Sequence, residues 1–466
     1  MSNVDRSTPP PAGPTPRIAL PRVERTRAAS GMRVAATTSD ATPELLLELA
    51  LPSGRVREPL GREGLASLTA LMLEEGTRKL STVEFVDALD FVGAHFAVHS
   101  DDDETTLELR VLERHAERAL ELVGDLLLEP RLGEHEFARV REQRRAALRS
   151  RSDDPKSVVN DVWSRLYWGR STALGSAGIG DEESLAATAL DDVRRFHAAA
   201  LAQPRAWRCS GVCRGGLEQL LGWLAPLEAR LAQPAPAAGA ALRETWSEPS
   251  PLERKRSRIF VCDRPGAPQS ELRVGHPSVA SSHPDWLALS ALNLALGGVF
   301  SSRLNLNLRE NKGYTYGIRS SFEGGRRPGA FSVGTSVDTR NSAPALREIV
   351  RELEGFTAGA TAEELAFVRS SLEQALARQF ESPAARLSFV STIERLGLRD
   401  DYPLQRLAWL ADATPAASAR VLSEHLHPGE LLVVVVGDLT AVGRELAELG
   451  LGSPVKVDAR GDERRG

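Results

Sequence analysis

The feature that most restricts the fold of this 466-residue chain is an internal duplication. Segments 133–155 and 360–383 each have the pattern of a long amphipathic helix that runs up to a proline. The two prolines, Pro155 and Pro383, are 228 residues apart. Because solenoid repeats have periods of about 20–50 residues, an interval of this length indicates a duplicated domain.

Other predicted elements recur around these helices. Strand-like stretches at 105–112 and 329–337 are each followed by a helical segment that leads to the long helix. Each half also ends in an apolar strand, which reaches Gly211 in the first half and Gly437 in the second. Strands clustered among helices, without regular βαβ alternation, are typical of the α+β class. The chain is therefore predicted to contain two copies of one α+β domain.

Composition sets the predicted domain boundaries. Residues 1–17 are Pro-rich and lack the apolar core of a signal peptide, so we predict a disordered leader. Residues 233–250 are rich in Ala, Pro and Gly and lack apolar periodicity, which indicates an inter-domain linker. The two domains are then expected at 18–232 and 251–458, followed by a tail at 459–466.

Charge and cysteine content exclude several functional classes. A net charge of −5 and a pI near 6.1 give no electrostatic basis for binding nucleic acid or an anionic membrane. The longest aliphatic run, LLVVVV at 431–436, is too short to span a bilayer and is predicted to be a buried strand. Cys209, Cys213 and Cys262 are too few for a disulfide framework and are expected to be buried free thiols. These features favour a cytoplasmic protein.

Two histidines could lie on one face of a predicted strand. His95 and His99 have the same parity, and Asp101 and Asp103 continue it, so a surface metal site at this strand is one interpretation. The alternative is that the acidic run at 101–104 forms a solvated loop, which is the commoner role of such a run.

The remaining histidines form no recognisable zinc motif. His425 and His427 precede Pro428 at a predicted helix end, where a cation is favourable, and need no further role. His283 is one of five histidines that are scattered singly along the chain. Neither H-E-x-x-H nor H-x-x-E-H occurs anywhere in the sequence.

The segment LRENKGYTYGI, residues 308–318, concentrates side chains that suit catalysis. It contains two of the chain's four tyrosines, with Arg309 upstream of them and Gly313 and Gly317 on either side. Because glycine permits tight backbone turns, this segment could hold a cation and a phenol in fixed positions. The alternative, judged from residue type alone, is a structural ion pair and a core aromatic ring.

Three stretches resemble the insulinase/pitrilysin family of zinc metallopeptidases. GLASLTALMLEEGTRKLSTVEFVDALDFVGAHF at 64–96 is similar to the opening of that family's first domain. GGVFSSRLNLNLRENKGYTYGI at 297–318, and the strand that ends in VVVVGD at 433–438, are similar to its second domain. The likeness extends from about residue 18 to residue 458. It implies two like α+β domains, each a mainly antiparallel sheet with helices on one face, that close as a clamshell around a peptide.

The same resemblance identifies a zinc site that this chain has lost. Family peptidases carry H-x-x-E-H just ahead of a Gly-Thr pair, and those three positions here are Ser67, Ala70 and Leu71. The family's third ligand, a glutamate on the later long helix, would fall at Ala146 or Ala147. Leucine and alanine cannot ligate zinc, and no general base remains at Ala70. No metal is therefore expected to bind to this chain.

The resemblance also gives the tyrosine segment a role. In the family's second domain an arginine and a tyrosine, seven residues apart, face the zinc across the cleft, and Arg309 and Tyr316 match that pair. A phenol can stabilise the oxyanion that forms during peptide hydrolysis, while a guanidinium anchors substrate carbonyls. Tyr314 has the opposite strand parity and is assigned to packing.

A further match concerns the way that peptides bind. Residues 93–99 correspond in position to an edge strand that, in family peptidases, pairs with the backbone of the substrate. Such pairing suits an extended peptide. A sheet strand without this role is the alternative.

Two functional hypotheses follow. The leading one is a non-catalytic subunit of a heteromeric zinc metalloendopeptidase, in which a homologous partner with intact H-x-x-E-H supplies zinc and the general base. This chain would contribute Arg309 and Tyr316, bind peptide substrates, and have no peptidase activity alone. The alternative is a non-enzymatic scaffold or peptide-binding protein with the same fold. A stand-alone peptidase with a metal at His95 and His99 is disfavoured, because those histidines lack a nearby helix glutamate to activate water.

Overall fold

The computed structural model describes residues 18–232, 242–245 and 258–464. The predicted leader at 1–17 and most of the predicted linker at 233–250 lie outside these ranges. The chain forms two six-stranded sheets, one in each half. Within the described residues, none of the helices combines the length and the apolar character needed to cross a membrane.

The first sheet belongs to the first half of the chain. Its strands are β1 (Glu24–Arg27), β2 (Arg33–Thr38), β3 (Glu44–Leu51), β4 (His95–Ser100), β5 (Thr105–Leu112) and β6 (Arg208–Cys213). They lie in the order β1-β2-β6-β3-β5-β4, and β2 and β6 pair in parallel while the other neighbours are antiparallel. The sheet is therefore mainly antiparallel, as predicted. Cys209 and Cys213 of β6 are buried and free, which also agrees with prediction.

The second sheet repeats this topology. Its strands are β7 (Arg258–Asp263), β8 (Gln269–Pro277), β9 (Ile318–Phe322), β10 (Ala330–Asp338), β11 (Leu432–Gly437) and β12 (Val455–Val457). The order is β12-β7-β11-β8-β10-β9. The sequence β7-β11-β8-β10-β9 has the same pattern as β2-β6-β3-β5-β4, so the duplication seen in the sequence is a duplication of topology. All six residues of β11 are buried, which confirms the strand predicted from LLVVVV.

Helices complete both domains. Those of the first domain are α1 (Leu65–Leu73), α2 (Thr82–Phe91), α3 (Ala116–Leu128), α4 (Glu134–Asp153), α5 (Pro155–Trp168), α6 (Glu182–Ala187), α7 (Leu190–Leu201) and α8 (Gly216–Leu231). Those of the second domain are α9 (Trp286–Asn293), α10 (Ser342–Thr357), α11 (Ala362–Gln379), α12 (Pro383–Leu396), α13 (Tyr402–Asp412), α14 (Pro415–His425) and α15 (Leu439–Ala447).

The repeated prolines mark the start of a new helix in each domain. Pro155 and Pro383 occupy the first turns of α5 and α12, where the missing N–H costs nothing. Asp154 and Ser382 cap these helices by accepting backbone hydrogen bonds. Helix α4 therefore ends at Asp153, two residues before Pro155, and α11 ends at Gln379, four residues before Pro383; a second helix follows each of them.

One face of each sheet covers a core that is shared with helices of the same domain. Alternate residues of β3, among them Leu45 and Leu47, pack with α3 and α8. In the second sheet Val433 and Val435 of β11 pack with α9 and α10. This arrangement agrees with the predicted α+β class.

The opposite face of each sheet receives a helix from the other domain. Helix α5 places Val162 and Trp163 against β11, where Val434 is fully buried. Helix α12 places Val390 in a buried cluster with Ala35 of β2. The two domains thus exchange one helix each, and these are the two helices that begin with the repeated prolines.

The acidic run at 101–104 is a loop, as the sequence favours, but only part of it is solvated: the Asp101 and Asp102 side chains are half-exposed, whereas Glu104 is buried. Each of its four carboxylates has its own arginine; the pairs are Asp101–Arg395, Asp102–Arg55, Asp103–Arg327 and Glu104–Arg208. Two of these arginines, Arg327 and Arg395, belong to the second domain. The run therefore contributes to the contact between the domains.

Candidate functional site

Arg309 lies on a π-helical turn of the second domain. The turn spans Asn305–Asn311 and packs against β9 and α10. The guanidinium carbon of Arg309 lies 4.0 Å from the ring centre of Phe300, and one guanidinium nitrogen lies 3.6 Å from the Glu310 carboxylate. The Arg309 side chain is 31% exposed, so it is stacked on a ring and still open to solvent. A guanidinium held in this way can donate hydrogen bonds to a carbonyl oxygen.

Tyr316 lies in the irregular connection between this turn and β9. Tyr314 and Tyr316 do not lie on a strand, so the strand parity predicted for them is wrong; β9 begins only at Ile318. Tyr314 is nonetheless half-buried against the core of the second domain, as expected for a packing residue. Tyr316 is 95% exposed, and the described part of the chain offers its hydroxyl no hydrogen-bond partner. The phenol is therefore available to a ligand or to another chain.

A buried asparagine closes the segment that carries these side chains. The side-chain amide of Asn305 donates to the carbonyl oxygen of Ile318 at 2.8 Å, and its oxygen accepts from the Ile318 N–H at 3.2 Å. The same amide donates to the carbonyl oxygen of Val299 at 3.2 Å. Asn305 is 5% exposed, so these hydrogen bonds are shielded from water. They join the start of the π-helical turn to the start of β9 and so fix both ends of the loop between them.

The loop itself is held at Thr315. This residue is buried, and its hydroxyl accepts from the Gly317 N–H at 3.1 Å and from the Thr335 hydroxyl at 2.8 Å. The sequence analysis expects Gly313 and Gly317 to allow tight turns. Gly313 has a left-handed φ of 66°, whereas Gly317 has no positive φ, so the special backbone conformation lies only at Gly313.

The degenerate zinc positions on α1 serve packing and helix anchoring. The hydroxyl of Ser67 donates to the carbonyl oxygen of Gly178 at 2.9 Å. Ala70 is 4% exposed and belongs to the core beneath the first sheet. Leu71 is half-buried against the cluster that α1 forms with α4 and α7. The positions where the family has two ligands and a base are thus occupied by one engaged hydroxyl and two apolar groups.

The position of the third ligand is equally unsuited to metal binding. Ala146 and Ala147 are exposed on α4. Arg144, on the preceding turn, is buried, and its terminal nitrogen lies 3.5 Å from the carbonyl oxygen of Ile179. Burial lowers the pKa of the Arg144 guanidinium. A buried cation at this site would repel a divalent ion.

A carboxyl that sequence reasoning overlooks lies at the start of α1. Glu58 accepts hydrogen bonds from the N–H groups of Gly64 at 3.0 Å and Ala66 at 2.7 Å. Burial raises its pKa to about 8, against the opposing effect of these hydrogen bonds. At neutral pH the group is therefore mostly protonated, and its role is to hold the first turn of the helix.

The predicted substrate-pairing strand is an edge strand. β4 pairs with β5 and has no neighbour on its other side within the described residues. The backbone N–H of Val98, however, donates to the carboxylate of Glu74 at 3.3 Å. Burial raises the pKa of Glu74, and this hydrogen bond opposes that shift. One backbone N–H group of β4 that an incoming peptide strand would need, that of Val98, is therefore already hydrogen-bonded to Glu74.

The two histidines of β4 line a groove. It has a volume of about 870 Å³ and lies between the open face of the first sheet and α12. His95, His99 and Asp101 all contribute to its walls, as their shared parity predicts. In the described part of the chain the one cluster with metal-like spacing lies elsewhere, in the second domain. His95, His99 and Asp101 do not form such a cluster, so the structure does not support the interpretation of β4 as a metal site.

The residues that hold Arg309 and Tyr316 in place are ones that sequence reasoning misses. Phe300 and Asn305 both lie in the stretch at 297–318 that resembles the family's second domain. The only local signals are residue types: Phe300 is an aromatic residue shortly after two glycines, and Asn305 is a polar amide in an apolar helical stretch. The pairing of Asn305 with Ile318 depends on the chain turning back on itself, which no local periodicity reveals.

Two family models match the chain. "Insulinase (Peptidase family M16)" matches residues 33–176, and "Peptidase M16 inactive domain" matches residues 189–372. The first match contains the degenerate zinc positions, and the second contains Arg309 and Tyr316.

Relatives and solved structures extend this likeness to most of the chain. "Uncharacterized zinc protease YmxG" of Bacillus subtilis is 23% identical over 372 residues, which are 78% of this chain and 86% of that protein. "Non-peptidase homolog YmxG" of Helicobacter pylori is 25% identical over 363 residues, 76% of this chain and 80% of the relative. The crystal structure of a peptidase M16 inactive domain from Pseudomonas fluorescens has a TM-score of 0.80 at 22% identity, and covers 89% of this chain and 98% of its own. This last likeness shows a common fold.

Proposed function

Because the chain belongs to the insulinase family, peptidase family M16, and is a non-catalytic member of it, we propose that it is the substrate-binding and transition-state-stabilising subunit of a heteromeric zinc metalloendopeptidase. A homologous partner subunit with intact H-x-x-E-H supplies the zinc and the general base, in a heterodimer or a larger complex. The substrates are peptides.

The observation that carries this proposal is an asymmetry between the two domains. On α1 the family's ligand and base positions are occupied by packing side chains, with Ala70 in the core. In the second domain the Arg309–Tyr316 segment is braced by buried hydrogen bonds while its two functional side chains face outward. Side chains that served only the fold would be expected to pack inward, as Tyr314 does.

Exposure of apolar groups supports a partner at this segment. Phe300 is 63% exposed, Leu306 is 48% exposed and Tyr316 is 95% exposed. Several exposed large apolar side chains within one segment of the chain are a feature of protein–protein contact sites. A partner that covered them would exclude water from Arg309 and Tyr316, and their hydrogen bonds to a substrate would then be stronger.

The chemistry assigned to the two residues follows from their donors. When a peptide carbonyl is attacked, negative charge develops on its oxygen, and the role proposed for the Tyr316 hydroxyl is to donate a hydrogen bond to that oxygen. The Arg309 guanidinium anchors a neighbouring carbonyl of the substrate. Removal of one such donor typically costs about 3–4 kcal/mol of transition-state stabilisation.

The test is a reconstitution. This chain, and the homologue from the same genome that carries H-x-x-E-H, are purified separately and assayed alone and together on a quenched-fluorescent peptide mixture. The proposal predicts activity in the mixture and none from either chain alone. Activity of the homologue alone, unchanged by this chain, would contradict it.

Variants sharpen the test. Tyr316→Phe and Arg309→Ala are expected to lower kcat/KM of the mixture by about 100-fold or more, because each loses a transition-state donor. Arg319→Ala is the matched control, since Arg319 is an exposed arginine on β9. Size-exclusion chromatography shows whether each variant still assembles. Full activity of both functional variants would refute the assigned roles.

A second function, a peptide-binding protein or scaffold without a catalytic partner, is favoured by the groove beside β4. Glu48 and Glu108 stand directly opposite each other on adjacent strands that line it. Like charges in that position destabilise a sheet, and burial raises the pKa of Glu48. Fluorescence anisotropy with labelled basic and acidic peptides measures binding to this chain alone. Peptide binding by this chain, together with no activity in the reconstituted mixture, would favour the peptide-binding or scaffold function.

We place the complex in the cytoplasm as part of the same proposal. The support is that Cys209, Cys213 and Cys262 are all buried and unpaired, as thiols are in a reducing compartment. Fractionation of cells that express the tagged chain from its own promoter tests this. Recovery of the chain from a periplasmic or secreted fraction would contradict it.

A further inference from the structure

We propose that this chain binds one zinc ion at a site formed by His283, Asp285 and His425 in the second domain. One ligand atom from each residue lies within 4.8 Å of the other two. The site shares no residue with α1 or α4, where the family's zinc ligands are lost. In the sequence His283 looks isolated, because His425 lies far away along the chain, and no metal is predicted there.

Two packed helices bring the three side chains together. His283 and Asp285 lie on the turn that leads into α9, and His425 is the last residue of α14. The turn is fixed by its own backbone, since the His283 N–H donates to the carbonyl oxygen of Ala280 at 3.0 Å and the Trp286 N–H donates to that of His283 at 3.0 Å. Helices α9 and α14 are in contact with each other. The ligands therefore stand on rigid supports, which lowers the cost of ordering them around an ion.

The groups already have the spacing that a metal ion requires. Nε2 of His425 lies 3.2 Å from Oδ2 of Asp285, and the centres of the His283 and His425 rings are 4.9 Å apart, with 81° between the ring planes. An ion bound between Nε2 and Oδ2 would replace the contact that these two atoms make with each other.

Two further contacts compete with an ion. The Asp285 N–H donates to Nδ1 of His283 at 3.1 Å, so coordination through that nitrogen exchanges one neutral hydrogen bond for a metal–ligand bond. A nitrogen of Arg420 lies 3.4 Å from Oδ1 of Asp285, which leaves Oδ2 for the ion. The Arg420 side chain is 63% exposed, and ion pairs with such exposure contribute little.

The set of donors favours zinc over magnesium and calcium. Two imidazoles and one carboxylate are a common zinc set, with water in the fourth tetrahedral position. Magnesium and calcium prefer oxygen ligands only. A bound ion would join the end of α14 to the start of α9 and so stabilise the folded second domain, because the unfolded chain cannot bring the three ligands together.

Metal content of the isolated full-length chain tests the site. The chain is stripped with chelator, desalted, and titrated with zinc chloride by isothermal calorimetry, with metal counted by mass spectrometry. One zinc per chain and a higher Tm with zinc are expected. The double variant His283→Ala/His425→Ala is expected to lose both, and Asp285→Asn, which keeps the shape of the side chain, is expected to bind at least tenfold more weakly.

The control is His427→Ala, which removes a histidine two residues beyond the site. The ring of His427 contacts that of His276 rather than the cluster, so this variant should bind zinc like the wild type. Absence of zinc from the wild-type chain, or unchanged binding by Asp285→Asn with an unaltered circular-dichroism spectrum, would overturn the proposal. No peptidase assay enters this experiment, so its result is independent of the function proposed above.

Discussion

The guanidinium carbon of Arg309 lies 4.0 Å from the centre of the Phe300 ring, and both side chains reach the surface of the second domain. An aromatic face at this distance attracts a cation and restricts the side-chain rotations of the arginine. Phe300 is therefore expected to position Arg309 for its substrate contact, although it has no reacting group of its own.

The first prediction concerns this stack. Phe300→Leu keeps an apolar contact and removes the ring, so kcat/KM of the reconstituted mixture should fall about two- to fivefold, the equivalent of roughly 0.5–1 kcal/mol for an exposed cation–π contact. Phe300→Tyr keeps the ring and serves as the control. Equal activity of the leucine variant and the wild type would show that the stack does not position Arg309.

The second prediction concerns Asn305. Asn305→Ala leaves the buried N–H and carbonyl oxygen of Ile318 without their partner, so the free energy of unfolding should fall by about 1–3 kcal/mol. Chemical denaturation followed by tryptophan fluorescence measures the change. Asn311→Ala, at an exposed position of the same turn, should have a much smaller effect. Equal stability of the two variants would mean that the Asn305 bridge is unimportant.

The third prediction compares two ion pairs that the acidic run at 101–104 forms. Arg208 and Glu104 form an ion pair in which both side chains are almost completely buried. Arg208→Ala strands a buried carboxylate and should cost about 3–5 kcal/mol of unfolding free energy. Arg395 lies 3.7 Å from Asp101 in a half-exposed pair, so Arg395→Ala should cost about 1 kcal/mol or less. Similar losses for both variants would contradict the assignment of burial as the cause.

The fourth prediction is a pH dependence that arises from Glu58. Its folded-state pKa of about 8 exceeds the usual 4.5, so between these values the folded chain keeps a proton that the unfolded chain releases. The free energy of unfolding should therefore fall as pH rises from 5 to 8, by at most about 1.4 kcal/mol per pH unit from this group. The variant Glu58→Gln cannot ionise and should show a flatter profile. Identical pH profiles for variant and wild type would contradict the raised pKa.

Local pattern was sufficient to predict most elements of the fold. β5 occupies the predicted stretch 105–112, because alternation along a half-buried strand is a strong local signal. Helix α11 (Ala362–Gln379) lies within the predicted helical stretch 360–383 for the same kind of reason. The duplication of topology was visible because each half repeats the same order of such local signals.

Long-range pairing was not predictable from the same signals. The acidic run at 101–104 favours a solvated loop, and no local signal reveals its pairing with Arg327 and Arg395, which lie more than 200 residues away in sequence. The cluster of His283 with His425 was missed for the same reason. The Arg309–Tyr316 segment was found through its motif, and its role in hydrolysis stays a prediction. The ring of Phe300 and the amide of Asn305, which hold that segment, depend on contacts that only the folded chain displays.

The helices that the two domains exchange make the order of synthesis matter. When a ribosome has released the first half of the chain, α5 carries Val162 and Trp163 with no sheet to receive them, since β11 is among the last strands to emerge. The face of the first sheet that α12 covers likewise stays uncovered until α12 has been synthesised. Neither half can finish folding before the other, so the nascent first domain must remain soluble with an apolar surface uncovered until nearly the whole chain has been made.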